Sequence, residues 1–186
     1  YARYLSSGNS VDPNALYSIW GGGNDLLLAS GTFQAAMMGG ATQAQALALV
    51  QPIIAGAVAS EIGLVGALKN AGAKYVLVAS APDLGLTPAS RAGGAAGMAL
   101  GTSLSSSFNT GLFNGLASAG ISVIPLDTFH FLQEVVANPG AFGITNVSGK
   151  ACAVQPPPAG GSSLFCSPLS TVPGGSSYLF ADGVHP

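Results

Sequence analysis

Three short apolar runs alternate along the chain with longer segments in which apolar residues recur every three or four positions. The runs cover residues 16–20, 75–79 and 121–126 and are rich in β-branched and aromatic side chains, which predicts three buried strands. Helical periodicity covers residues 41–70 and 88–119. This alternation is typical of a parallel α/β fold, in which functional groups follow the carboxyl ends of the strands.

Individual residues refine the predicted helices. Pro52 is expected to kink or split the first one, and Gly72 lies where its carboxyl-terminal cap would fall. The second helix is predicted to bury one face, whose apolar residues recur every four positions: Leu100, Leu104, Phe108, Leu112 and Leu116. After Asp127, residues 128–137 predict a short amphipathic helix, and residues 140–186 predict loops.

The composition limits the classes of function. Only 6% of the residues are charged, with 5 Lys and Arg against 7 Asp and Glu, whereas about 25% is usual for a soluble domain. So few cations exclude a basic groove for nucleic acid. Hydrophobic residues make up 48% of the 186 positions and the mean hydropathy is +0.50, which is enough apolar surface for a single folded domain.

The chain contains two long uncharged stretches, residues 26–60 and 92–126. Polar residues and Pro52 interrupt every long uncharged stretch, so we expect a soluble chain without a membrane span. The chain begins at Tyr1 with neither a basic nor an apolar leader, so any targeting segment is expected to lie outside it.

Two cysteines, Cys152 and Cys166, flank a stretch rich in Pro, Gly and Ser. A disulfide between them would close a loop of about 15 residues and restrict the unfolded chain by roughly 3 kcal/mol. Such bonds persist in periplasmic or extracellular space, and the alternative is a pair of buried free thiols in a cytosolic protein. The scarcity of charge and the need to fasten this segment favour the disulfide.

A glycine-rich segment, Gly21-Gly22-Gly23-Asn24-Asp25, follows the first predicted strand. A dinucleotide site is excluded because Leu26 occupies the third glycine position and no acidic residue ends a strand about twenty residues on. Asn24 could instead offer its amide as an oxyanion donor at an acyl-transfer centre. Equally, Asn24 could tolerate a left-handed turn and Asp25 could cap the helix, and the spacing alone leaves both readings open.

A carboxylate precedes an imidazole by three residues twice in the chain. At the end of the sequence, Asp182 can accept a hydrogen bond from His185 Nδ1 and leave Nε2 free as a base, which supplies two members of a catalytic triad. Asp127 and His130 share this spacing after the third strand. Because Asp127 has a sufficient role as a helix N-cap and His130 would lie at the positive end of the helix dipole, the terminal pair is favoured.

With these segments identified, the chain resembles the GDSL family of SGNH hydrolases and, within it, the esterase passenger domains of bacterial autotransporters. The resemblance extends over most of the chain in four blocks: Asp12-Pro13-Asn14-Ala15-Leu16-Tyr17 with Trp20-Gly21-Gly22-Gly23-Asn24-Asp25; Val76-Leu77-Val78 with Pro82-Asp83-Leu84-Gly85-Leu86-Thr87-Pro88; Asn138-Pro139-Gly140-Ala141-Phe142-Gly143; and Leu179-Phe180-Ala181-Asp182-Gly183-Val184-His185-Pro186.

The resemblance implies a flavodoxin-like three-layer α/β/α sandwich with residues 1–186 as one domain. It implies ester hydrolysis through an acyl-serine intermediate, without cofactor or metal, on a small-molecule or lipid ester. Carried over by motif, Asn24 is the oxyanion donor, Asp182 orients the imidazole and His185 is the general base. A secreted, cell-surface or periplasmic location is implied as well.

One departure from the family pattern changes this picture. The nucleophile of the family lies in an N-terminal G-D-S-L block, and no G-D-S occurs in this chain. The serine and the strand that bears it are therefore expected upstream of Tyr1, or on a complementing chain, so the fold is expected to be incomplete at its N-terminus. The autotransporter likeness adds an outer-membrane β-barrel beyond Pro186 as a partner. The alternative function is a noncatalytic surface domain that keeps the fold and has lost the nucleophile.

Overall fold

The computed structural model describes residues 10–152 and 163–186 of an α/β protein. Two compact units divide the chain: the first takes the described residues of Tyr1–Ala81 and Leu104–Thr128, and the second takes those of Pro82–Ser103 and Phe129–Pro186. The single domain expected over residues 1–186 stays a prediction.

Strands and helical segments alternate along the described residues as far as residue 137, as the hydrophobic pattern indicates. In chain order they are β1 (Leu16–Ile19), α1 (Gly23–Met38), α2 (Gln43–Asn70), β2 (Tyr75–Ala79), α3 (Pro88–Ala92), α4 (Gly94–Ser118), β3 (Ile124–Leu126), α5 (Thr128–Ala137), β4 (Asn146–Lys150) and β5 (Tyr178–Phe180).

The first unit contains a parallel sheet with the strand order β1-β2-β3. The three predicted runs are therefore confirmed as strands, although the residues of β3 are exposed rather than buried and β3 begins three residues later than expected. The reason is that the Ile121 N–H donates to the Leu116 carbonyl at 2.9 Å, around Gly120 with a φ of +68°. This is the pattern that closes a helix at a left-handed glycine, so Ile121 belongs to the end of α4.

The two faces of this sheet differ in burial. Ile19, Val76 and Val78 are buried on one face. The opposite face remains open, with 59% of Leu16, 51% of Tyr75 and 47% of Leu126 exposed, and the strand register brings Leu16 next to Tyr75. Because alternate side chains of a strand point to opposite faces, these exposed residues share one side of the sheet, on which Ala79 is buried.

Helix α2 is a single continuous element with Pro52 inside it, so Pro52 does not split the helix, and the kink expected as the other outcome stays a prediction. Thr42 and Gln45 form a reciprocal capping box at its start. Among the described residues, α2 is the one helix that is long and apolar enough to cross a membrane. In this fold it packs against α1 and β2.

The predicted helix over residues 88–119 consists of two helices, because Gly94 with a φ of +63° separates α3 from α4. The buried face predicted for its second part is confirmed, and it consists of Leu104, Phe108, Leu112 and Leu116. The short amphipathic helix predicted after Asp127 is also confirmed as α5, which buries Leu132 and Val135.

The second unit corrects the expectation of loops over residues 140–186. Strands β4 and β5 pair in a parallel two-stranded sheet. The disulfide is confirmed: Cys152 and Cys166 are bonded, with their Cα atoms 5.5 Å apart. The stretch with Pro156, Pro157 and Pro158 lies outside the described residues.

A close approach at Gly85 generates a stability prediction for the second unit. A Cβ at this position would collide with Thr102 Oγ1 and the Met98 carbonyl, and would lie 2.9 Å from the Thr102 nitrogen. We expect Gly85→Ala to lower the free energy of unfolding by about 1–3 kcal/mol, because the backbone has to move apart. Urea unfolding measures this loss.

Gly63→Ala is the matched control for that substitution. Gly63 is exposed within α2 and nothing lies within 4 Å of its added Cβ. Alanine there should raise the free energy of unfolding by up to about 1 kcal/mol through helix propensity. Equal effects of the two substitutions would contradict the close approach at Gly85.

Candidate active site

Asp182 and His185 meet in the loop that follows β5, in the second unit. The His185 Nδ1 atom lies 2.8 Å from Asp182 Oδ2 and 3.0 Å from Oδ1. The carboxylate is buried, with 5% of Asp182 exposed, whereas 66% of the His185 side chain is exposed. The buried Asp182 carboxylate thus holds the Nδ1 side of the His185 imidazole, and the rest of the ring is accessible.

Backbone donors surround the Asp182 carboxylate. Oδ1 accepts the N–H groups of Val184 and His185, each at 2.9 Å, and Oδ2 accepts the Ser163 N–H at 2.8 Å. Burial raises the pKa of Asp182, but the three backbone N–H groups and the His185 ring outweigh it, so the pKa lies well below its ordinary value. Asp182 is therefore a carboxylate at neutral pH.

The tautomer of His185 follows from this arrangement. Nδ1 faces the ionised carboxylate and donates its hydrogen to it, so Nε2 carries the lone pair. The backbone of the same residue is fixed, because its carbonyl accepts the Ala181 N–H at 2.8 Å. Both the ring and its main chain are held, and Nε2 is placed to accept a proton.

Two neighbouring elements hold the loop of Asp182 and His185 in place. The Gly183 carbonyl accepts the N–H of Ala89 in α3 at 2.9 Å. The Ala181 carbonyl accepts the N–H of Cys152, just after β4, at 2.8 Å. Cys152 is also a member of the disulfide, so the acid–base pair is attached to a covalently closed segment.

Asn24 lies in the first unit, in the first turn of α1, and is exposed. Its alternative structural role is wrong: Gly22 is the N-cap and takes the left-handed conformation with a φ of +79°, and no side chain caps the helix there. Among the described residues, every positive φ belongs to a glycine. Asn24 thus does not occupy a left-handed turn, and Asp25 does not cap the helix.

Gly22 is required at this turn for a second reason. A Cβ there would collide with the Phe108 ring, and the positive φ already disfavours other residues. The close packing of Gly22 against the buried Phe108 ring therefore fixes the segment that leads to Asn24.

The competing histidine, His130, lies in the first turn of α5 as expected. Its ring meets the Phe129 ring edge to face, with the centroids 5.2 Å apart. Such a contact gives the ring a packing role. The preference for His185 as the base stays a prediction.

Glu61 is a charged residue that the sequence reading did not single out. It lies in α2 with only 6% exposed, and neither carboxylate oxygen has a hydrogen-bond partner of regular geometry among the described residues. Burial raises the pKa of Glu61, and the nearby Gly21 backbone N–H opposes this in part. The sequence does contain a signal for Glu61. It is the only charged residue of α2 before Lys69, and it shares the spacing of the apolar residues Val65 and Leu68.

The chain is similar to three pseudomonad proteins. It is 37% identical over 187 residues to proteins named Esterase EstA from Pseudomonas aeruginosa and Pseudomonas putida, which covers 96% of this chain and 25% of each relative. It is 34% identical over 193 residues to an uncharacterized protein in the trpE-trpG intergenic region of Pseudomonas putida, with 98% of this chain and 28% of that protein covered. The chain thus spans about a quarter of the length of these relatives. No family model matches it.

The lowered pKa of Asp182 predicts how stability depends on pH. The ionised group stabilises the fold above the pKa of an unfolded aspartate, about 3.9, and this contribution is lost as the pH falls through that value towards the folded pKa. We expect the wild type to lose more free energy of unfolding between about pH 7 and about pH 3 than Asp182→Asn, which cannot ionise.

Urea unfolding at the two pH values measures this difference. Glu134→Gln, which removes an exposed carboxylate of α5, is the control and should lose as much as the wild type. Identical pH dependence of Asp182→Asn and the wild type would contradict the account of the Asp182 donors.

Proposed function

We propose that this chain is part of a carboxylic ester hydrolase that acts through an acyl-serine intermediate. The observation that carries the proposal is the pair formed by Asp182 and His185, in which a buried carboxylate fixes Nδ1 of an exposed imidazole at 2.8 Å. The likeness to two proteins named Esterase EstA supports an ester as the bond that is cleaved. The substrate class is a small-molecule or lipid ester.

In the proposed mechanism, a serine N-terminal to Tyr1 is the nucleophile. His185 Nε2 takes the proton of its hydroxyl as the oxygen attacks the ester carbonyl carbon. The carbonyl oxygen becomes negatively charged in the tetrahedral intermediate, and the Asn24 amide donates a hydrogen bond to it. When the intermediate collapses, the C–O bond to the alcohol breaks and His185 gives the proton to the leaving oxygen.

The same residues serve the second half of the reaction. Water gives a proton to Nε2 and attacks the acyl-serine, and the serine oxygen leaves with that proton. Asp182 stays ionised throughout, because its backbone donors favour the carboxylate, and it stabilises the imidazolium that forms twice in each turnover.

The wider setting of this site is also part of the proposal. The α/β fold with parallel strands is compatible with the three-layer sandwich of SGNH hydrolases as one domain, completed by an N-terminal block upstream of Tyr1 or on a complementing chain. The disulfide and the esterase relatives support an extracellular or periplasmic location. A passenger domain of an autotransporter, with an outer-membrane barrel beyond Pro186, fits this location.

A noncatalytic surface domain is the second candidate, because the 186 residues contain no G-D-S block. Such a domain would keep the fold and the pair of Asp182 and His185 without turnover. The gene sequence upstream of Tyr1 separates the two candidates: a G-D-S there supports the hydrolase, and its absence supports the noncatalytic domain.

Substitutions in the complete protein test the assigned roles. His185→Ala and Asp182→Ala should each lower kcat for a chromogenic ester by several orders of magnitude, because the base and its orientation are lost. Asn24→Ala should lower kcat by roughly 10²–10³-fold through the loss of one oxyanion donor. His130→Ala is the control and should leave kcat unchanged. Loss of activity in His130→Ala with a fully active His185→Ala would show that the base is His130.

Labelling with a fluorophosphonate tests for the nucleophile itself. This reagent reacts with an activated serine, so the intact mass of the purified complete protein should rise by one phosphonyl group. His185→Ala should block the labelling, because the serine is then not activated. A complete protein that gains no mass would overturn the hydrolase and favour the noncatalytic domain.

A further inference from the structure

Three large apolar side chains are exposed within a short segment of the second unit, residues 163–170. Leu164 is 81% exposed, Phe165 61% and Leu169 94%. Single apolar residues are ordinary at a protein surface, but three within six positions concentrate apolar area, and such concentrations mark surfaces that bind an apolar ligand. These three residues are called the apolar patch below.

Hydrogen bonds and the disulfide fix the backbone that carries the apolar patch. The Cys166 N–H donates to the Ser163 carbonyl at 3.1 Å and closes a turn of 3₁₀ helix, Ser163–Phe165. In a second turn the N–H of the buried Ser170 donates to the Ser167 carbonyl, and the Ser170 hydroxyl accepts the Ser167 N–H at 2.8 Å. Cys166 is also a member of the disulfide. The exposed side chains thus project from a fixed backbone, which lowers the entropy cost of binding a ligand against them.

The same segment is attached to the acid–base pair. The Ser163 N–H donates to Asp182 Oδ2 at 2.8 Å, and the Ser163 hydroxyl oxygen lies 3.4 Å from His185 Nδ1. Residues three apart share a face of a 3₁₀ turn, so Ser163 and Cys166 lie on one face and the two residues between them extend into solvent. Phe165 follows Ser163 by two residues, which is at most about 7 Å of chain. The apolar patch therefore begins beside the His185 ring.

The stretch that contains the patch carries no charged side chain. Residues 151–181 include no Asp, Glu, Lys, Arg or His, and Lys150 and Asp182 flank them. A charged ligand group would lose hydration at the patch without gaining an ion pair there, whereas an apolar group gains free energy from the burial of its surface. The patch therefore fits an uncharged, apolar part of a ligand.

The proposed reaction indicates which part of an ester lies at the patch. His185 gives its proton to the leaving oxygen, so the alcohol portion of the ester comes within hydrogen-bond distance of Nε2. The acyl carbon is bonded to the nucleophile and lies one bond further from Nε2. The alcohol portion is thus the part of the substrate closest to the ring that Ser163 borders.

We propose that the apolar patch, and Phe165 in particular, binds the alcohol portion of the substrate and makes the site selective for esters of apolar alcohols. The inference rests on the proposed function and deepens it, because it names the substrate class on the leaving-group side. Phe165 is a specificity-determining residue in this account, and Leu169 extends the same surface.

Two isomeric esters, hexyl acetate and ethyl hexanoate, test the patch in the complete protein at concentrations at which both are monomeric. The hexyl chain belongs to the alcohol in the first ester, and the chain of similar length belongs to the acyl group in the second. Phe165→Ser should lower kcat/KM for hexyl acetate about tenfold, the effect expected when about two methylene groups are no longer buried, and leave ethyl hexanoate unchanged. The loss should appear in KM, because the contact is the same in the ground state and the transition state. Equal losses on the two isomers, or a loss on ethyl hexanoate alone, would overturn the proposal.

Three further variants separate apolar contact from general damage. Phe165→Leu keeps an apolar side chain and should retain most of the activity on hexyl acetate. Leu169→Ser should lower kcat/KM for hexyl acetate about threefold. Leu49→Ser is its matched control, because Leu49 is an exposed leucine of α2 in the first unit, and it should change neither ester. An effect of Leu49→Ser as large as that of Leu169→Ser would contradict a site at the patch.

Two other occupants of the patch would give different results. If Phe165→Ser lowers activity only on esters presented in phosphatidylcholine vesicles, the patch binds a lipid surface. If Phe165→Ser converts a dimer into a monomer in sedimentation velocity, the patch binds a second copy of the chain. Either result would overturn the site for the alcohol.

Fluorophosphonate labelling of the same samples distinguishes this inference from the proposed function. A wild type that is labelled, together with a Phe165→Ser variant that cleaves both isomers as the wild type does, would overturn the alcohol site and leave the hydrolase in place. A complete protein that is not labelled and cleaves neither isomer would overturn both.

Discussion

The carboxylate of Asp182 is the interaction on which the candidate site depends. It accepts the N–H groups of Ser163, Val184 and His185, and it also binds the His185 ring. One buried anion therefore shapes the closing loop, attaches it to the segment around Ser163 and selects the tautomer of His185. The same two oxygens thus fix both the backbone of the loop and the orientation of the imidazole.

The sequence predicted most of the first unit, and the reason is local. Strands β1 and β2 and the long helix α2 have strong periodicity and clear ends, such as Gly72 with its φ of +103° after the helix. The predicted strand β3 was too long because the β-branched side chain of Ile121 favours a strand. In the structure the Ile121 N–H donates to the Leu116 carbonyl and closes α4. A β-branched residue after a glycine does not reveal which of two neighbouring elements it joins.

The second unit was harder to predict. Strand β4, with the sequence Asn-Val-Ser-Gly-Lys, has no alternation of apolar and polar residues, and it forms only because it pairs with a strand about thirty residues away. For the site itself, the short spacing between Asp182 and His185 allowed their pairing to be predicted, because few backbone torsions separate them. The Ser163 donor could not be predicted, since a backbone N–H carries no sequence signal.

The hydrogen bond from the Cys152 N–H to the Ala181 carbonyl links the disulfide to the loop that carries Asp182 and His185. Cys152 is tethered to Cys166 only after oxidation, and Ala181 directly precedes the carboxylate that orients the imidazole. In a reducing compartment this tether is absent, and the segment that supports the acid–base pair loses its covalent restraint. The rigidity of the loop that carries Asp182 and His185 thus depends on a covalent bond that lies outside the pair itself.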